Sequence, residues 1–500
     1  MMDPKELTGG HLIAGEKPRP EPDYLEEIRG QQYPITYGVE LQFLVPVLAR
    51  GQSDPHPDET REAIIVEPGF SYAQISRRVT DAVLDRLRGT AQVPAWTHLG
   101  PMIPNRATMA KMDSESQAVS YMPAYSQWVV QTDEDLLPKD DPFSEIYTWV
   151  GVKVKSSKRN TSWPNHFDQI GRVLVALRAD LRMRLAPTTS LSIHVGVLWH
   201  DIMSYEMGPR FLRVFCTMWW LLERHVQDLA HPSRRTHPAC QPLRSGSRLA
   251  RMDPSDLQYE LEEGGMDKLS FRNWHRQMHF IVPTIALNTA EMNQIESIWR
   301  AKDGKSIVQK MTVQTMQTET MELTGQKSKF PCEGRGSVGF QGFCEGAIGI
   351  PLAHNDGYTG TIEFRSMESS LDPLLILNWI AVVVRLFDFS RRGNTGDIMG
   401  ILARAQTEDG SFNGLNLLQD LGIDQQYVYF ADKMEADKTR DITQESLPTL
   451  LVPPADEYIQ EEANDESMKE EANEEFIKEE PNDEFTKEEA TEYIKEEPAD

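Results

Sequence analysis

The chain is poor in cysteine. Its four cysteines in 500 residues, Cys216, Cys240, Cys332 and Cys344, form no C-x-x-C pair and keep no regular spacing. A disulfide framework and structural zinc are therefore excluded, and free thiols in a reducing compartment are expected. Long apolar runs are also lacking. Leu374–Phe389 comes nearest, but Asn378, Arg385 and Asp388 interrupt it, and it is short for a membrane span. Met1 to Pro22 is charged and proline-rich, without the apolar centre of a signal peptide. Basic residues are in deficit, 51 Lys and Arg against 77 Asp and Glu. No basic surface for nucleic acid is expected. These absences predict a soluble intracellular protein, cytoplasmic or nuclear, with neither nucleic acid nor membrane as partner.

The net charge of −26 is unevenly placed. Residues 453–500 carry 20 Asp and Glu against 4 Lys, a net of −16, which leaves an ordinary −10 on the rest. That tail is a nine-residue repeat: E-E-A-N-D-E-S-M-K from Glu461, E-E-A-N-E-E-F-I-K from Glu470 and E-E-P-N-D-E-F-T-K from Glu479. Phe476, Phe485 and Tyr493 are too sparse for an apolar helix stripe, and Pro481 and Pro498 interrupt it. A disordered, solvated tail is predicted, open to basic protein partners. Lys469, Lys478 and Lys495 follow an apolar residue and precede x-Glu, a setting like that for attaching a ubiquitin-like modifier. The expected organisation is a disordered leader 1–33, a folded body 34–432 with irregular insertions about 90–126 and 300–345, a linker 433–452 and the tail 453–500.

Within the body, alternation marks the strands. In Y-G-V-E-L-Q-F, Val39, Leu41 and Phe43 share one face, and Gly38, Glu40 and Gln42 the other. Ile146–Val154 puts Lys153 opposite Val152 and Val154. In Ser190–Val197, Ser192 and His194 lie together. T-I-E-F-R places Glu363 and Arg365 on the face opposite Ile362 and Phe364. Helices are predicted over Ile75–Leu87, Phe167–Leu185, Phe211–Leu229 and Leu374–Phe389, the last capped by Asp372 and Pro373. The fold class is α+β: a curved, largely antiparallel sheet with helices packed outside it. Glu363 and Arg365 can be a structural ion pair or part of a site, and a lone His194 is more often structural than a ligand.

The order of these pieces resembles the amidoligase family, relatives of glutamine synthetase and glutamate–cysteine ligase. The resemblance spans Tyr37 to Ser390 and rests on G-V-E-L-Q-F-L-V-P, W-x-V-x-x-D, S-I-H-V-G, T-I-E-F-R with the following L-D, and Trp379. It implies ATP-dependent joining of a carboxylate to an amine, both small molecules. Magnesium would be held by carboxylates and the phosphates by Arg or His. Carried over, Glu40, His194 and Glu363 are metal ligands, Glu40, Glu363 and Arg365 catalytic, and Arg365, His194 and Arg235 nucleotide contacts. Asp133, Glu223 and Asp372 also match. Four expected ligand positions are substituted: Gln42 and Lys153 stand for acids, and Ser192 and Met367 for histidines. The expectation is a divergent relative with a degraded Mg/ATP site, or a non-catalytic binding protein or scaffold.

Overall fold

The computed structural model describes residues 34–97, 127–137, 147–197, 209–263, 268–323, 326–333, 336–340 and 361–439, except 58, 62, 164, 187, 238–239 and 408–409. For 263, 268–271, 285, 314–323, 326–333 and 439 only the backbone is described. The leader 1–33, the acidic tail, and Cys344 lie outside this set, as does insertion 90–126 beyond Thr97.

Eleven strands are described: β1 (Ile35–Ala49), β2 (Ile64–Val66), β3 (Ala95–Thr97), β4 (Trp128–Thr132), β5 (Thr148–Lys155), β6 (Arg159–Asn160), β7 (Ser192–Val197), β8 (Gln314–Leu323), β9 (Gln326–Glu333), β10 (Val338–Gly339) and β11 (Ile362–Phe364). The main sheet runs β10-β11-β7-β1-β5-β4-β3, with β2 and β6 also on β1. Among the described strands, only β1–β2 and β3–β4 pair in parallel. The fold is α+β and the sheet is mostly antiparallel, but it does not curl as the expected curved sheet would: its strands run as one open path from β10 to β3. β8 and β9 form a separate hairpin.

β1 organises the sheet because it pairs on both sides. Glu40 opposes Lys155 on one flank and Ser192 on the other. Val39, Leu41, Phe43 and Val45 are buried in the main core. The alternation is lost after Gln42 because Leu44 and Leu48 are buried too. They join a second cluster with Leu136, Tyr147, Trp149 and Ala186. One half of β1 thus has a polar face, and the other half is covered on both sides.

The helices cover the apolar face. Tyr72–Asp85 is opened by a capping box between Ser71 and Gln74, and lies on β3, β4 and β5. Pro373–Arg392 lies on β7 and β1, capped as its sequence predicts: Asp372 Oδ1 accepts from Leu374 N at 2.9 Å. It is longer than the spacing indicates. By length and composition alone it could cross a membrane, with a mean hydropathy of 1.6. Ile376, Trp379, Val383 and Phe387 nevertheless pack in the protein core. Pro209–Asp228 packs on it and gathers Gly304–Met311, Thr395–Ala405 and Gly414–Asp420.

Three expectations change. The helix predicted to reach Leu185 is Asp168–Asp180. Beyond it the chain is extended, because Arg184 N and O bond Leu44 across the sheet, at 2.9 and 2.8 Å, and Arg182 Nη1 reaches Asp54 at 2.6 Å. Residues 300–345 are not uniformly a loosely packed insertion. Gly304–Met311 is a helix whose Ile307, Val308 and Met311 are fully buried. The linker does not begin at 433 either. Helix Asp424–Thr439 continues, tied down by Lys433, which reaches Glu368 at 2.8 Å and Asp437 at 2.6 Å.

Gly151 of β5 is needed where Asp133 folds back. A Cβ there would sit 2.1 Å from Asp133 O and 2.9 Å from Leu136 Cβ. Gly151→Ala is expected to cost about 2 kcal/mol by overpacking, read as a lower urea midpoint. An unchanged midpoint would contradict this packing.

Candidate functional site

The polar face crosses five strands, β11, β7, β1, β5 and β4. Antiparallel register places Glu363 beside His194 and His194 beside Gly38; one row on, Ser192 lies beside Glu40 and Glu40 beside Lys155; next, Gln42 lies beside Lys153 and Lys153 beside Gln131. Cross-strand neighbours share a face. Glu40, His194, Glu363 and Arg365 are therefore brought together, as strand parity predicts, and Gln42, Lys153 and Ser192 lie among them.

Met367 does not join them. It is fully buried in the apolar core, because β11 ends at Phe364 and the two-residue alternation does not continue. Arg235 also lies elsewhere, paired with Asp228 at 3.0 Å on a half-exposed surface. Its neighbour Arg234 turns inward and donates from Nη2 to Arg365 O at 3.0 Å. Asp372 serves as a helix cap. Glu223 is buried in helix Pro209–Asp228 and accepts from Leu243 N at 2.7 Å, Arg244 N at 3.1 Å, Trp219 Nε1 at 3.3 Å and the Ser337 hydroxyl. Burial pushes its pKa up, against hydrogen bonds that favour the ionised form.

Each carboxylate on the face is already held by cations. Arg365 forks Glu363, with Nε to Oε1 at 2.7 Å and Nη2 to Oε2 at 2.5 Å. Burial raises the Glu363 pKa, but Arg365, His194 and the Ser192 hydroxyl outweigh it and bring it to about 2. Burial likewise lowers the Arg365 pKa, and its pairing with Glu363 raises it further, so both stay charged. Gly339 lies flat against this guanidinium; a Cβ there would meet Cζ at 3.0 Å. Lys153 reaches Asp133 Oδ2 at 2.6 Å and Glu40 Oε1 at 3.7 Å, and Lys155 reaches Glu40 Oε2 at 3.4 Å. Gln42 Nε2 donates to Glu40 Oε1 at 2.8 Å, and its own Oε1 accepts from Ser190 N and Oγ, both at 3.0 Å. Burial raises the Glu40 pKa and Glu363 adds to that. Lys155, Lys153 and His194 pull the other way, and the net shift is downward.

A small cavity of about 40 Å³ opens beside these pairs, lined by Gly38, Glu40, Lys155, Lys158, His194 and Thr361. Burial lowers the Lys158 pKa, and no carboxylate offsets it. Among the described residues its ammonium has no ion-pair partner. Lys155 shares Glu40 with Lys153 and Gln42. Two lysines and one carboxylate thus line the cavity, and of the two lysines only Lys155 is held by Glu40. The sequence signal for it is K-V-K-S-S-K: two lysines alternate on β5 and a third follows the strand end.

No known protein family, no curated protein and no solved structure matches the chain.

Proposed function

We propose that this chain is a divergent, non-catalytic relative of the ATP-dependent carboxylate–amine ligases. In this reading its polar sheet face has exchanged Mg/ATP chemistry for binding a small anion, a carboxylate or a phosphate. The order of its sequence motifs supports a glutamine-synthetase-like ancestry. The single observation that carries the functional reading is the pairing of Glu40, Asp133 and Glu363 with Lys153, Lys155 and Arg365.

These residues do not fit a divalent cation. Magnesium needs carboxylate oxygens free to face it. Here each acid already faces an ammonium or a guanidinium within 4 Å. Ions entering among those charges would meet repulsion of several kcal/mol even at an effective dielectric near 20, roughly 4 kcal/mol per pair at 4 Å. Arg365 is itself occupied, so the anion falls to Lys158, Lys155 and His194. Access comes over Gly38, whose missing side chain leaves only Ser156 Oγ, at 3.7 Å, near the position a Cβ would take.

Thermal unfolding of the natural chain is the test. Phosphate or acetate is expected to raise its melting temperature, while Mg-ATP at equal concentration adds nothing beyond its phosphate. A ligand that binds only the folded state at a hundredfold its dissociation constant contributes about 2.7 kcal/mol. Lys158→Ala and Gly38→Val should each abolish the gain. The triple change Gln42→Glu, Lys153→Glu and Ser192→His should instead create a magnesium-dependent shift. Met367→His is left out, since it would bury an imidazole in the core. Tight Mg-ATP binding by the natural chain, with phosphate released when an amine is offered, would make it a working ligase and end this reading.

A further inference from the structure

The helix Lys268–His279 carries a feature unrelated to the sheet face. His275 and His279 are one turn apart, so they project from the same side of the helix. Their Nε2 atoms are 3.1 Å apart, and their ring centroids 4.3 Å. Both line an open hollow of about 470 Å³, together with Arg272, Asn273, Arg276 and Phe280.

We propose that His275 and His279 form a two-imidazole chelate for a transition-metal ion of the zinc, nickel or copper(II) kind. Two nitrogens each bound at 2.0–2.1 Å to a tetrahedral ion lie about 3.3 Å apart. The observed separation is close to that bite, so an ion enters with only a small ring movement. Without metal, the same approach is an N–H···N hydrogen bond, one ring donating and the other accepting. On binding, the donating ring moves its proton from Nε2 to Nδ1 by exchange with solvent, so both rings stay neutral and each Nε2 gives the ion a lone pair. Neutral rings are required. Burial and the neighbouring His275 lower the His279 pKa, against a smaller upward pull from Glu296.

Ion selectivity follows from the surroundings. Arg272 and Arg276 line the same hollow and oppose any cation held by charge alone, which disfavours magnesium and calcium. Ions that bind imidazole covalently remain. Glu296 is engaged by Arg300 at 2.7 Å. Among the described residues no third His, Cys, Asp or Glu completes a cluster, so water fills the other positions and the ion is exchangeable.

The experiment is calorimetric titration of the untagged 500-residue chain with Ni²⁺. One saturable event is expected, lost in His275→Ala and in His279→Ala and kept in Arg276→Ala. With Cu²⁺, electron paramagnetic resonance should show two coupled imidazole nitrogens, reduced to one in either single variant. His275 is half-buried and His279 exposed, and circular dichroism verifies that the variants fold. A saturable event that survives in the double variant, or none in the natural chain, would overturn the assignment.

Discussion

Arg365→Ala is expected to lower the free energy of unfolding by about 3–5 kcal/mol, because it leaves the Glu363 carboxylate buried without its partner. Glu363 and Arg365 are 9% and 8% exposed, so little water can replace the lost fork. Removing both charges together is a different matter. Glu363→Gln with Arg365→Met should recover most of the loss, since a buried ion pair is worth little against well-packed neutral groups of similar size. Urea denaturation of Glu363→Gln, Arg365→Met and the double variant gives the cycle. If Arg365→Met alone is as stable as the double variant, packing on Gly339, and not charge, is what Arg365 supplies. The pair also predicts acid sensitivity. Glu363 has a folded pKa of about 2, below an unfolded value near 4.3. Its stabilisation is therefore complete above about pH 4.3 and is lost as pH falls toward 2. Arg365→Ala should flatten that part of the stability profile.

Glu223→Ala is expected to cost about 3–5 kcal/mol as well, by a different route. Four donors converge on this one carboxyl, two of them backbone N–H groups of the helix Leu243–Gly246. Without it Leu243 N and Arg244 N lose their acceptor, while Trp219 Nε1 keeps Ser337 Oγ at 3.2 Å; each orphaned group costs on the order of 1–3 kcal/mol, part of which local rearrangement recovers. Glu223→Gln should cost less, because the amide oxygen still accepts at the Oε1 position. The loss should extend to the sheet edge, since the Ser337 hydroxyl donates to Glu223 while the Ser337 carbonyl accepts from Arg365 N at 2.8 Å. Hydrogen exchange at Arg365 N is the readout. An unchanged protection factor in Glu223→Ala would separate the two sites.

Much of the polar face was legible because strand parity is a short-range property. Once Val39, Leu41 and Phe43 face the core, Glu40 and Gln42 can face only the other way, and the same holds for Lys153, His194 and Glu363. Parity fails where the strand stops. Met367 keeps the spacing of Glu363 and Arg365, but the chain has left the sheet by then. Arg234 and Arg235 were indistinguishable in sequence; the short helix Pro232–Thr236 decides which turns inward. Lys158 follows the end of β5 without a pattern of its own, and its partial burial depends on β1 and β7, far away in sequence. The helix Gly304–Met311 was hidden by the polar residues around it, although Ile307, Val308 and Met311 already mark one face. The Glu363–Arg365 pair is legible two residues apart, but the pairing of Glu40 and Asp133 with Lys153 and Lys155 is not, because it joins segments distant in sequence.

The row Gly38–His194–Glu363 joins parts of the chain that are synthesised far apart in time. β1 and β5 can pair early, but β11 enters the sheet only after more than two thirds of the chain has emerged. Until then His194 and the open edge of β7 have no neighbour on that side. Pairings this distant are slow to form, since chain entropy must be lost before any contact is gained. The last strand to arrive brings Glu363 and Arg365 already two residues apart, so the two charges can neutralise each other before they are buried. The ion pair is thus local in sequence while its site is long-range, and a strand carrying its own counter-charge can close a half-built sheet without leaving an unpaired charge inside it.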